Sequence, residues 1–181
     1  MKKQELRLSG SGGQGLILAG IILAAAAAKE GRNVVQTQSY GPEARGGASK
    51  SEVLISDERI DYPKVTEPDF LLALTEEALA KYIDDVKTEG MVIADASVEA
   101  KEAGNRIEQL YSLPILKTAK EELKPIVANM VALGAIVACS GVTAPETTKE
   151  AIQENVPPGT EDLNCKAFEK GYELGEKKLK L

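Results

Sequence analysis

Residues 6–28 constrain the chain more than any other stretch. They open Leu6-Arg7-Leu8, apolar and polar in alternation, and halt in Ser9-Gly10-Ser11-Gly12-Gly13-Gln14-Gly15. That is the pattern of a short strand entering a tight glycine turn. Residues 16–28 then hold only Leu, Ile, Ala and one Gly. Leu16, Ala19, Leu23 and Ala26 recur at helical spacing, and residues 24–28 are a run of Ala, the strongest helix former. The predicted unit is strand, glycine loop, buried helix.

Such a unit has a definite chemistry. Glycine at 10, 12, 13 and 15 removes the Cβ atoms that would keep a ligand or another chain off the backbone. The helix beginning near Gly15 aims its unpaired N–H groups and the positive end of its dipole into the loop. Phosphate or carboxylate is favoured there. Gly10, Gly12 and Gly15 match the G-x-G-x-x-G spacing of dinucleotide sites. The rest of that signature fails. A second predicted strand, 33–39, offers Gln36, Gln38 and Ser39 where an acid should meet the ribose, and the nearest acid, Glu43, lies past a Gly-Pro turn. A phosphate-binding P-loop fails too, because Leu16 and Ile17 replace its Lys and Ser/Thr.

Composition narrows the function further. A chain of 181 residues is predicted to form one domain spanning 1–181. Its net charge of −6, with no basic cluster before Lys177-Lys178-Leu179-Lys180, argues against nucleic acid as a partner. The apolar run falls short of the about 20 residues that span a bilayer. It also follows a strand rather than a basic leader, so no membrane segment is expected and the setting is read as cytoplasmic. There is no His, which removes the usual general base and the Ser-His-Asp and Cys-His routes to nucleophilic catalysis. Cys139 and Cys165 alone do not make a zinc or iron–sulfur site. Catalytic residues and metal ligands are therefore both read as none.

A second unusual segment follows, Tyr40-Gly41-Pro42-Glu43-Ala44-Arg45-Gly46-Gly47. It joins an aromatic ring, a Gly-Pro turn, an acid–base pair and a double glycine. Arg45 offers a planar fork to carboxylate or phosphate. The competing role is a turn in which Glu43 and Arg45 pair with each other or across a subunit contact. Strands are predicted at 49–56, 70–74, 90–95 and 107–111, with Thr75 capping a helix that runs to about Val86. This alternation predicts an α/β fold: three layers, α/β/α, around a mostly parallel sheet. Pro125 opens an apolar helix over 126–138, and its Asn129 needs a partner, either a loop backbone or a ligand. Helices are also predicted over 145–153 and 162–180, the latter with Leu163, Phe168, Tyr172 and Leu179 as its apolar face.

The two glycine motifs together, in this order and spacing, resemble the gamma subunit of the 2-oxoacid:ferredoxin oxidoreductases. The helix segment Ala128-Asn129-Met130-Val131-Ala132-Leu133-Gly134 and the tail with Asn164, Phe168 and Gly171-Tyr172 are similar to the same family. The resemblance covers essentially the whole chain. It implies a non-catalytic subunit of a complex that oxidatively decarboxylates a 2-oxoacid with coenzyme A and passes electrons to ferredoxin. Thiamine diphosphate and iron–sulfur clusters would sit in partner alpha, beta and ferredoxin-like delta subunits. A coenzyme A contact would fall on the loop residues 10–15, on Tyr40, Gly41, Pro42, Glu43, Arg45, Gly46 and Gly47, and on Asn129. Residues 45–63 look most like the 2-oxoglutarate enzymes, since pyruvate-type relatives tend to place a proline after the double glycine. Without partners, homodimerisation through an exposed apolar patch is a further expectation. A stand-alone nucleotide-binding protein and a purely structural assembly subunit are the alternatives.

Overall fold

The computed structural model describes residues 3–38, 48–99 and 107–179. In chain order the elements are β1 (Gln4–Ser11), α1 (Leu16–Lys29), β2 (Asn33–Gln38), β3 (Ala48–Ser56), β4 (Phe70–Ala73), α2 (Glu76–Tyr82), β5 (Met91–Asp95), β6 (Gln109–Leu113), α3 (Ile115–Glu122), α4 (Ala128–Ser140), α5 (Pro145–Asn155) and α6 (Glu161–Leu179). The strands form one sheet of order β2-β3-β1-β4-β5-β6. β1, β4, β5 and β6 run parallel, while β3 pairs antiparallel with both β1 and β2. The mostly parallel sheet therefore has an antiparallel edge. Only residues 39–47 join β2 to β3. A parallel crossover takes about a dozen residues or more, so the connection can only turn the chain back.

The period-two alternation of β1 sends Leu6 and Leu8 to one face, where they meet α1, α3, α4, α5 and α6. The other face is covered more thinly, by α2, a 3-10 turn over Ile83–Asp85 and the stretch 57–69. Even so, the polar residue between the leucines does not reach water. Arg7 is 3% exposed. Its Nε donates to Glu52 on the paired strand at 2.7 Å, Nη1 donates to Asp85, Nη2 donates to the Val65 carbonyl at 3.3 Å, and the guanidinium lies 5.1 Å from the centre of the Tyr82 ring. Stripping such a buried charge of its partner costs about 3–5 kcal/mol. The β4 run is buried throughout, as an apolar strand between two covered faces should be.

α4 and α6 approach more closely than ordinary side chains allow. A Cβ on Gly134 would overlap the Phe168 carbonyl, one on Gly171 would overlap the Val131 carbonyl, and one on Gly175 would come 2.7 Å from the Ala138 Cβ. The buried side of α6 is thus Asn164, Ala167, Phe168, Gly171 and Gly175. Leu163 and Tyr172, expected on that face, are only partly buried at its margin, and the Leu179 side chain lies outside the described residues. Close crossing of two backbones needs small residues, which a search for large apolar ones passes over.

Thr75 caps α2 as expected, its hydroxyl accepting from the Ala78 N–H at 3.2 Å. The last strand begins at Gln109 rather than Ile107, and α3 was not anticipated. α4 begins three residues after Pro125, behind a 3-10 turn over Pro125–Val127. Among the described residues no helix is long and apolar enough to cross a membrane. Gly171→Ala should lower the unfolding free energy by about 2–4 kcal/mol. Urea denaturation followed by circular dichroism reads this, and a variant as stable as the parent would show that the helices separate freely.

Candidate functional site

The loop after β1 is built by its own side chains. The Gln14 N–H donates to the Ser11 carbonyl at 3.4 Å, closing a four-residue turn with Gly13 at φ 86° in third place. That position of the turn requires a positive φ, hence glycine. The Gln14 side chain folds back so that Oε1 accepts from the Ser11 N–H at 2.8 Å. It occupies the space a Cβ on Gly10 would need. Gly12, Gly13 and Gly15 remain exposed.

Gly15 opens α1 at φ 72°. Its carbonyl accepts from the Ala19 N–H at 3.2 Å and from Asn129 Nδ2 at 3.1 Å. The Asn129 Oδ1 accepts from the Met130 N–H at 3.0 Å, so this 4% exposed carboxamide is satisfied at both ends. Of the two roles open to Asn129 in sequence, the geometry contains the contact to loop backbone. A Cβ on Gly15 would lie 2.6 Å from Asn129 Nδ2. Among the described residues the first turn of α1 carries no side-chain cap and no acidic residue, and its N–H groups and the positive end of its dipole are of the kind that favours an anion.

The loop stands where the chain changes direction in the sheet. From β1 the chain builds β2 and β3 on one side, then crosses to β4 on the other. Ligands of open α/β sheets collect at the carboxyl ends of strands beside such a reversal. Ser11 pairs with Ala48 and Gln38 with Ser51, so residues 39–47 leave and return at the same edge as the glycine loop. Tyr40, Gly41, Pro42, Glu43, Arg45, Gly46 and Gly47 themselves lie outside the described residues. Among the described residues the buried Oε1 of Gln38, at the end of β2, has no hydrogen-bond partner.

One residue at this edge was missed in sequence. Asp95 ends β5, is 2% exposed, and accepts from the Ser97 N–H at 2.9 Å, the Ser97 hydroxyl at 2.6 Å and the Leu116 N–H at 2.8 Å. Its carboxylate fixes the start of α3, which explains why it stays hidden until that helix is recognised. The two cysteines do not supply a nucleophile. Burial pushes the Cys139 thiol up to about 11, and burial, then the Glu169 carboxylate, raises that of Cys165. Among the described residues no group of three or more His, Cys, Asp or Glu side chains could hold a metal ion.

The family model for pyruvate ferredoxin/flavodoxin oxidoreductase matches residues 5–174. The chain belongs to that family. It is 50% identical over 177 residues to the 2-oxoglutarate synthase subunit KorC of Methanocaldococcus jannaschii, covering 96% of this chain and 95% of the relative. The gamma subunit of a keto/oxoacid ferredoxin oxidoreductase from Geobacter sulfurreducens superposes with a TM-score of 0.85 at 43% identity, over 98% of this chain and 99% of that one. A 2-oxoglutarate:ferredoxin oxidoreductase from Magnetococcus marinus, solved with 2-oxoglutarate, coenzyme A and succinyl-CoA bound, gives a TM-score of 0.88 at 28% identity, over 98% of this chain but 32% of that longer one.

Asn129→Ala should destabilise the chain by about 0.5–1.5 kcal/mol, the net worth of the hydrogen bond lost from a Gly15 carbonyl that keeps the Ala19 N–H. Gly15→Ala should cost at least as much through clash and backbone strain. The double variant should cost less than the two together by about 0.5–3 kcal/mol, because truncating Asn129 removes the clash. Additive losses in denaturant titrations would mean that the two residues do not meet.

Proposed function

We propose that this chain is the non-catalytic gamma subunit of a cytoplasmic, multisubunit 2-oxoglutarate:ferredoxin oxidoreductase, its whole length acting as one gamma-type unit. Full-length similarity to a 2-oxoglutarate synthase subunit is the observation that carries the reading. The chain's own chemistry agrees with a supporting role: it has no histidine, and its two thiols are held protonated. Alpha, beta and ferredoxin-like delta subunits hold the thiamine diphosphate and iron–sulfur clusters, which supply the decarboxylation and electron transfer to ferredoxin. This chain holds neither.

Its contribution is to the handling of coenzyme A. The exposed backbone of residues 12–15 and the uncapped first turn of α1 suit a phosphate group, and Gln14 and Asn129 hold that backbone in place from within. Arg45, in the segment that joins β2 to β3, supplies a charge-assisted bond to that phosphate. Tyr40, the Gly41-Pro42 turn, Glu43, Gly46 and Gly47 shape the segment that carries it. Backbone geometry fixed before binding spares the ligand the cost of ordering the loop.

Purified alone, the chain should not reduce a viologen dye with 2-oxoglutarate, coenzyme A and thiamine diphosphate. Turnover by the isolated chain would end the subunit reading. In the assembled enzyme, Arg45→Ala should raise the KM for coenzyme A about tenfold to a hundredfold, with kcat, oligomer and thiamine content unchanged. Lost assembly without a change in that constant would instead make Arg45 a structural residue and the subunit a purely architectural one.

A further inference from the structure

On the sheet face that α2 covers, charged and aromatic side chains outside the glycine loop gather beneath the antiparallel edge. At their centre is Tyr82, the last residue of α2, 5% exposed. Three cations surround its ring: the Arg7 guanidinium lies 5.1 Å from the ring centre, the Lys81 ammonium 5.4 Å and the Lys50 ammonium 5.7 Å. Each attracts the face of the ring, which is thereby tied to β1, to β3 and to its own helix. Glu52 of β3, 8% exposed, joins two of these cations to the neighbouring strand. It accepts from Arg7 Nε at 2.7 Å, from Lys50 Nζ at 2.9 Å and from the Thr37 hydroxyl of β2 at 3.5 Å. The Tyr82 hydroxyl donates to the Ala48 carbonyl at 3.2 Å. A phenylalanine would fill the same space, so the hydroxyl serves that one carbonyl.

Thr37 stands one residue before the end of β2, and Ala48 opens β3. The network therefore holds both strand ends that residues 39–47 join. Ala48 also pairs with Ser11, the last residue of β1 before the glycine turn. We propose that Tyr82 is a positioning residue for coenzyme A, acting through Ala48 on the segment that carries Arg45, three residues earlier in the chain. The inference rests on the function proposed above. A buried ion network is a poor device for stability alone, because taking its charges out of water offsets most of their attraction. What it gives here is a fixed arrangement: the planar fork of Arg7 and the shared carboxylate of Glu52 hold the ring, and the ring holds the Ala48 carbonyl. Such fixing matters to a cation that must meet a phosphate. A charge-assisted bond of this kind forms at about 2.7–2.9 Å, so a strand end that drifts carries its arginine out of reach.

Kinetics of the assembled enzyme test this. Tyr82→Phe should raise the KM for coenzyme A about threefold to tenfold and leave kcat and the KM for 2-oxoglutarate unchanged. In an Arg45→Ala background the same substitution should add less than about twofold, because both changes act on one contact. Hydrogen exchange of the full-length chain gives a second readout, decisive even if the variant does not assemble. Tyr82→Phe should speed exchange of the amides of residues 48–50 about tenfold and leave those of β4 as in the parent. Unaltered exchange at 48–50 overturns the positioning role. So does an unaltered KM for coenzyme A in Tyr82→Phe when Arg45→Ala raises it, or an effect of Tyr82→Phe that persists in full on top of Arg45→Ala. If Arg45→Ala itself leaves that KM unchanged, the coenzyme A reading fails and this inference falls with it.

Discussion

The contact between α4 and the glycine loop is the point on which the rest depends. α4 is buried along its whole length except Ala138 and Ser140 near its end. At its start Asn129 donates to the Gly15 carbonyl, the acceptor that also begins α1. Farther along, Gly134 lies against the Phe168 carbonyl of α6. One helix therefore ties the loop to the deepest packing in the molecule. A close-packed interior transmits rather than absorbs displacement, so the inner side of the loop is tied to the core although its tip is exposed.

That arrangement separates holding the loop from using it. Gln14 and Asn129 satisfy backbone groups on the inner side, through the Ser11 N–H and the Gly15 carbonyl. Among the described residues the first turn of α1 has neither an acidic residue of its own nor a side-chain cap. A loop made for a tight turn alone would gain stability from a cap there, by about 1 kcal/mol. Omitting it is the kind of local cost that functional sites carry and structural turns avoid.

Much of this was legible in the chain. The strand–loop–helix unit, the buried run of β4 and the capping threonine of α2 each follow from a local signal that tertiary packing then reinforces. The loop-backbone role of Asn129 was one of two readings, because an amide in an apolar helix must find a partner but sequence does not say which. What stayed hidden has physical reasons. Arg7 alternates with leucines like a solvated residue, yet α2 and the stretch 57–69 close over it, and Glu52 and Asp85 come from residues far along the chain. The interface of α6 is written in glycines, which carry no hydrophobic signal. Asp95 gains its meaning only from α3, whose first turns it anchors.

The glycine loop and the apolar outer face of the molecule meet in α1. Its first turn forms one wall of the loop, and its apolar outer line starts within the same turn, at Ile17. A rigid helix cannot be pressed on one face without carrying its terminus along, so a contact on that line also sets the direction in which the loop presents its N–H groups. The buried side of the helix leaves little slack. A Cβ on Gly20 would overlap the Ser51 hydroxyl of β3, so the helix is seated directly on the sheet at its midpoint. Contact from outside is then borne by β3 and β1 together, the strands whose ends, Ala48 and Ser11, pair at the edge where both glycine segments emerge. The outer face of α1 and the N–H groups at its start are thus carried by one rigid helix seated on the sheet.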